Sequence, residues 1–258
     1  MKDIQSQPDS RRINIKKVGV KDISYPITVL DKARTVQRTV ARVNMYVNLP
    51  HQFKGTHMSR FVEILNRFHG NINLQSFHSI LDAMQSRLQA EEAHMEIEFP
   101  FFLKRQDCGP AMAGISEYNC RMHGSLDKTD DLILTVQVPI SAPSPMQSSE
   151  GLPKSLGRWG IADVSLRFSQ FIWIEDLIEM VENITCHDLN WHDEKGEEED
   201  SLSVEDMTKR LSKRIADHPH IKWFSVTVEN FSKNYSTFAT LEWPEAGDAL
   251  RFWPTERQ

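Results

Sequence analysis

Hydrophobic and polar positions along the chain fall into two successive rounds of the same pattern. From Arg11 to Leu30, and again from Val36 to Leu49, the residues read as strand. In the second run Ala41, Val43, Met45, Val47 and Leu49 alternate with Val40, Arg42, Asn44, Tyr46 and Asn48, the period of two that puts successive side chains on opposite faces of a sheet. Pro50 closes that run. Phe61, Ile64, Leu65 and Phe68 then recur at helical spacing, with Gly70 as the expected stop. Phe77, Ile80, Leu81, Met84 and Leu88 form a second apolar stripe of the same kind. Strand returns at His94 to Leu103 and Ala111 to Met122, separated by the turn-forming Asp107-Cys108-Gly109-Pro110.

The second half repeats this plan. Leu132 to Ile140 and Ile161 to Phe171 read as strands around a loop rich in Pro, Ser and Gly, and Trp173 to Val181 as a helix with Ile174, Leu177, Ile178 and Val181 on one side. A charged stretch, Asp193 to Asp200, follows, and its run Glu197-Glu198-Glu199-Asp200 is expected to be a solvated loop. Ser203-Val204-Glu205-Asp206 reads as a helix start with Ser203 as N-cap, and Val204, Met207, Leu211 and Ile215 give that helix its buried face. Strands at Ile221 to Phe231 and Tyr235 to Trp243 complete the round. The order strand-strand-helix-helix-strand-strand, twice, predicts an α+β fold of two units, each a four-stranded antiparallel sheet with two helices on one face. The expected boundaries are a tail at 1–10, a first unit at 11–126 and a second at 127–258. Small sheets have edges to hide, so oligomerisation is the physical expectation.

Composition narrows the function classes. A chain of 258 residues that is 40% hydrophobic can bury a proper core. Its net charge of −6, with Lys and Arg scattered along the chain, gives no electrostatic footprint for nucleic acid. No apolar run is long enough to span a membrane, and the polar stretch Met1 to Arg12 has no signal-peptide core. Cys108, Cys120 and Cys186 are three and widely spaced, which suggests a reducing cytoplasm rather than a disulfide framework.

Several segments then resemble one family. Lys54-Gly55-Thr56-His57-Met58-Ser59-Arg60-Phe61 is close to a hallmark of the GTP cyclohydrolase IB proteins. Lys17-Val18-Gly19-Val20 with Tyr25-Pro26-Ile27, Phe99-Pro100-Phe101-Phe102, Trp173-Ile174-Glu175-Asp176-Leu177-Ile178 and Glu229-Asn230-Phe231 are similar to the family as well. The resemblance runs from about Arg11 to about Leu241. It implies two tandem tunnelling-fold units assembled as a homotetramer, and hydrolysis of GTP to dihydroneopterin triphosphate on the way to folate and related pterins. It also implies a zinc or manganese ion that activates water, because a bound cation can bring the pKa of its water down to about 7.

The same resemblance marks where this chain departs from the family. The metal-binding Cys of the family corresponds to Ser144, in Ser144-Pro145-Met146-Gln147, and a serine hydroxyl is a poor zinc ligand beside a thiolate. The metal-binding His corresponds to Trp159, whose indole N–H only donates. The Glu-Ser-Ile-His stretch corresponds to Ser232-Lys233-Asn234-Tyr235, so Ser232 replaces a carboxylate and Tyr235 an imidazole. No Cys lies between Cys120 and Cys186, and no His between His123 and His187, whatever the alignment.

Two family carboxylates remain. Glu194, in Asp193-Glu194-Lys195, is a candidate metal or catalytic carboxylate, and Glu205, in Val204-Glu205-Asp206, corresponds to the glutamate that anchors the guanine edge. A carboxylate suits that task because it accepts two hydrogen bonds from adjacent N–H groups. The alternative for Glu205 is a charge placed in a helix's first turn by the helix dipole. Cys186, His187 and His192 offer alternative metal-ligating atoms, although Cys186 and His187 are adjacent and on a strand would point to opposite faces. Ser144 could serve as a nucleophile, but no paired His can be assigned. The expectation is therefore a cytoplasmic, cyclohydrolase-like protein that binds a purine or pterin-type small molecule without the standard metal-dependent hydrolysis and without a cofactor. It would be a pseudoenzyme or carry altered chemistry. The alternative is an active, divergent GTP cyclohydrolase with rewired zinc or manganese ligands.

Overall fold

A computed structural model describes residues 15–49, 57–68, 74–105, 114–141, 158–189, 203–231 and 234–244. These form eight strands and four helices in the order β1 (Ile15–Asp31), β2 (Thr35–Leu49), α1 (Met58–Arg67), α2 (Leu74–Leu88), β3 (Ala93–Arg105), β4 (Gly114–Leu126), β5 (Asp130–Ser141), β6 (Arg158–Phe168), α3 (Ile174–Leu189), α4 (Val204–Ala216), β7 (Ile221–Phe231) and β8 (Ser236–Trp243). The α+β class and the doubled element order are those expected. The expected turn at Asp107–Pro110, the stop at Gly70 and the acidic loop at Glu197–Asp200 lie outside the described residues.

One expectation is corrected. The strands form a single eight-stranded sheet in the order β1-β2-β3-β4-β5-β6-β7-β8, not two separate four-stranded sheets. The turn between β4 and β5 gives the physical reason. Asp127 Oδ1 accepts from the Thr129 N–H at 2.7 Å and from the Thr129 hydroxyl at 3.2 Å, while the Asp127 N–H donates to the Thr129 carbonyl at 3.2 Å. That Thr129 N–H holds the exposed Asp127 carboxyl below its ordinary pKa. A turn this tight makes β4 and β5 hairpin neighbours, which carries the sheet on from the first round of strands into the second.

Packing divides the chain into two compact units. The first holds Met1–Val136 with Trp173–Glu175, and the second holds Gln137–Ile172 with Asp176–Gln258. In the first, alternation fixes the core. Ala41, Val43, Met45 and Val47 of β2 face inward with Ala93, Met95, Ile97, Phe99 and Phe101 of β3 and Tyr118, Cys120 and Met122 of β4. Phe61, Ile64 and Leu65 of α1 and Phe77, Ile80, Leu81, Met84 and Leu88 of α2 close over them, as the helical stripes predict. Gly124 of β4 leaves room for the Phe77 ring, which a Cβ there would meet at 2.2 Å. The intervening residues of β2, β3 and β4 lie on the other, helix-free face.

The strand ends carry their own devices. A register shift interrupts β1 between Val20 and Ile23, where Asp22 takes φ 57° and its N–H donates to Asn44 Oδ1 at 2.9 Å, the signature of a bulge. Between β1 and β2, buried Asp31 accepts from the N–H groups of Ala33 and Arg34, each at 2.8 Å, and Thr35 takes φ 68°.

In the second unit, Val138 and Ile140 of β5, Ala162, Val164 and Leu166 of β6 and Phe224, Val226 and Val228 of β7 are buried beneath Leu177, Ile178 and Val181 of α3 and Val204, Met207, Leu211 and Ile215 of α4. The strand expected to reach Phe171 ends at Phe168, and the helix expected to end at Val181 runs on to Leu189.

Candidate functional site

Helix α4 positions the one sequence-predicted ligand contact whose surroundings are described. Ser203 is its N-cap, with an extended backbone, and its Oγ accepts from the Asp206 N–H at 3.2 Å, also 3.2 Å from Asp206 Oδ2. That cap satisfies a helix-terminal donor that would otherwise need water. Glu205 follows in the first turn and is exposed, its carboxylate beside the positive end of the helix dipole. Next to it, Val204 is buried, and the Thr208 hydroxyl donates to the Val204 carbonyl at 2.7 Å, with the Ala239 carbonyl of β8 at 3.3 Å. The first turn of α4 is thereby tied to β8, and Glu205 sits on a rigid mount rather than a loose loop.

Tyr235 lies one residue before β8 and is 68% exposed. The Thr208–Ala239 contact brings the helix that bears Glu205 and the strand that follows Tyr235 together. Trp159 is the second residue of β6. Cys186 and His187 lie in α3, so the strand case does not apply to them. Ser144, Glu194, His192 and Ser232 lie outside the described residues. Among the described residues no group of three or more His, Cys, Asp or Glu side chains is arranged to hold a metal ion.

Two features escaped the reading of the sequence. Glu175 is 3% exposed, with Oε1 accepting from the Lys32 N–H at 2.8 Å and Oε2 buried without a hydrogen-bond partner among the described residues. Its signal was its helical phase, three residues before buried Ile178 and ten before buried Thr185. Burial, with the Glu175 charge nearby, pushes the Cys120 thiol well above its ordinary pKa, so Cys120 is a packing residue and not a nucleophile. The second feature is a row of Tyr46, His94 and His123 on the helix-free face of the first unit, where Tyr46 and His94 stack at 4.8 Å. It had no signal within any single strand.

With this geometry in place, the relatives can be set beside it. The family model described as "Type I GTP cyclohydrolase folE2" matches residues 1–233. The chain belongs to that family. It is 46% identical over 254 residues to the GTP cyclohydrolase FolE2 of Syntrophobacter fumaroxidans, covering 94% of this chain and 99% of that one. It is 45% identical over 257 residues to the protein of the same name from Pelobacter propionicus, covering 96% and 100%. Among solved structures, uricase from Arthrobacter globiformis superposes with a TM-score of 0.56 at 10% identity, over 90% of this chain and 94% of that chain. A uricase from Bacillus fastidious gives 0.56 at 8% identity, over 88% and 93%. At such identities the likeness is one of fold alone, an α+β architecture of the tunnelling-like kind. No described helix is long and apolar enough to cross a membrane.

Proposed function

We propose that this FolE2 family member acts on GTP as a GTP cyclohydrolase, forming dihydroneopterin triphosphate. The observation that carries the reading is the end-to-end match to relatives named GTP cyclohydrolase FolE2, 46% identical across 99% of the length of one of them. Glu205 is the residue assigned to the guanine edge. Its carboxylate accepts the ring N–H and the exocyclic amine together, a paired, charge-assisted contact that fixes the base's orientation. The Ser203 cap and the Thr208 tie fix the helix turn that bears Glu205, which lowers the backbone-ordering cost of binding. We further assign the chain to a cytoplasmic homotetramer of two tandem tunnelling-fold units per subunit.

A second reading rests on the sequence itself. Ser144, Trp159, Ser232 and Tyr235 occupy the positions that the resemblance assigns to metal-site residues, and the chain has no Cys between Cys120 and Cys186 and no His between His123 and His187. In that reading the protein binds a purine or pterin-type ligand at Glu205 without the metal-dependent hydrolysis.

One experiment separates the two. Purified protein is stripped of metal, supplied with zinc or manganese and assayed for GTP turnover, alongside GTP binding by the wild type and Glu205→Gln. Turnover that requires metal supports the cyclohydrolase and directs attention to Glu194, Cys186, His187 and His192 as ligands. GTP binding that depends on Glu205, with no turnover under either metal, supports the second reading. Neither turnover nor binding refutes both.

A further inference from the structure

Four consecutive strands of the first unit each contribute one side chain to a row on the helix-free face. Lys17 of β1 places Nζ 4.6 Å from the centroid of the Tyr46 ring. Tyr46 of β2 and His94 of β3 are direct cross-strand partners, with their rings stacked 4.8 Å apart and 14° from parallel. His123 of β4 pairs with Glu96, one step along the diagonal from His94, and the two imidazoles lie 6.2 Å apart and 19° from parallel. Direct and diagonal pairs are the contacts by which adjacent strands hold one another.

The hydrogen bonding of the row suits two neutral imidazoles. Nδ1 of His94 is buried and has no hydrogen-bond partner among the described residues, while its Nε2 faces Glu92 Oε2 at 3.8 Å. With its proton on Nε2, neutral His94 leaves a lone pair at the buried site. A second proton would place an N–H donor there with no acceptor, and an unsatisfied buried donor is costly. Nε2 of His123 stands 3.4 Å from the Tyr46 hydroxyl. Unprotonated, that nitrogen accepts from the hydroxyl; protonated, it becomes a donor and the hydroxyl hydrogen must turn away.

We propose that this row is an acid-release latch, in which protonating His94 and His123 drives the two rings apart and loosens the β3–β4 pairing of the first unit. The charged groups around it pull in both directions. Facing His94 are Lys17 from β1, Glu92 immediately before β3 and Asp127 from the β4–β5 turn. Facing His123 are Glu96 from β3, Arg121 from β4 and Asp131 from β5, together with His94 itself. The carboxylates favour the charged rings, but burial outweighs them at both positions and holds both pKa values below the ordinary 6.5. The unfolded chain therefore binds these protons more readily than the folded one. The latch contributes in full above pH 6.5 and its contribution is lost as pH falls through the lower folded values.

Urea unfolding of the full chain at about pH 8 and about pH 5.5 tests this, in the wild type and in a His94→Gln/His123→Gln variant. The expected result is a midpoint that drops on acidification by more in the wild type than in the variant. An equal drop in both overturns the proposal. Because the variant also changes the packing of the row, the wild type is titrated by NMR as well, reading the ring protons of both histidines. Midpoints below 6.5 for both, with faster amide exchange in β3 and β4 as they titrate, support the latch; a midpoint at or above 6.5 for either, or exchange in β3 and β4 that does not change, overturns it.

Discussion

Replacing Gly124 with alanine tests the packing argument for the first unit at its tightest point. The new Cβ would lie 2.2 Å from Phe77 Cε1, 2.9 Å from Cδ1 and 3.2 Å from Leu81 Cδ1. Carbon atoms rest about 3.5–4.0 Å apart, so the ring must retreat by roughly 1.3 Å. Nothing around it yields readily: Phe77 is 1% exposed, and Ile80, Leu81 and Met84 on the same helix are fully buried. Overpacking of this kind costs about 1–3 kcal/mol. The substitution also removes a glycine from a strand interior, which returns about 0.5–1 kcal/mol. The net expectation is a loss of about 1 kcal/mol within a range of roughly 0–2.5 kcal/mol, which thermal unfolding would register as a fall of about 2–4 °C for each kcal/mol. Phe77→Leu should relieve the clash, so the double variant should be more stable than the sum of the single losses by at least about 0.5 kcal/mol. A Gly124→Ala protein more stable than the wild type, or strict additivity with Phe77→Leu, would refute the reasoning.

Two further outcomes follow from other sites. Glu175→Ala leaves the Lys32 N–H without its 2.8 Å acceptor and should cost about 1–3 kcal/mol by urea unfolding, whereas Glu175→Gln keeps a carbonyl oxygen in place and should cost clearly less; equal losses would count against the hydrogen bond as the cause. Thr35 is β-branched and holds φ 68°, so Thr35→Gly should raise the unfolding midpoint by an amount worth about 1 kcal/mol, and a lowered midpoint would count against backbone strain there.

The parts of this fold that could be read from the chain are those written in one segment at a time. The alternation from Ala41 to Leu49 gave β2, the stripe from Phe77 to Leu88 gave α2, and Ser203 marked the start of α4, because each pattern is complete within a few turns or pleats. The extension of α3 past Val181 was hidden because Glu182 and Asn183 break the apolar run and Asn183 and Thr185 favour helix only weakly. Sheet continuity through β4 and β5 was hidden for a different reason, since strand pairing is a property of two segments and of the turn between them. The row of Tyr46, His94 and His123 depends on register across three strands, with 47 residues separating its first two rings in sequence only as far as the pairing Tyr46↔His94 allows them to meet. At the candidate site, Glu205 was legible from a local match and its mount on α4 is seen. The proposed roles of Ser144, Glu194, Ser232 and His192 concern residues outside those described.

The strand order also bears on how the chain acquires its shape. Every strand lies beside its immediate predecessor in sequence, and the order β1 to β8 has no crossover. A chain emerging from the ribosome meets each new strand's neighbour already made. The longest waits are between β2 and β3 and between β6 and β7, where a pair of helices must be threaded first. Loop-closure entropy is therefore met in instalments, the two largest at the helix-bearing connections. Synthesis from the N-terminus and assembly of the sheet run in the same direction.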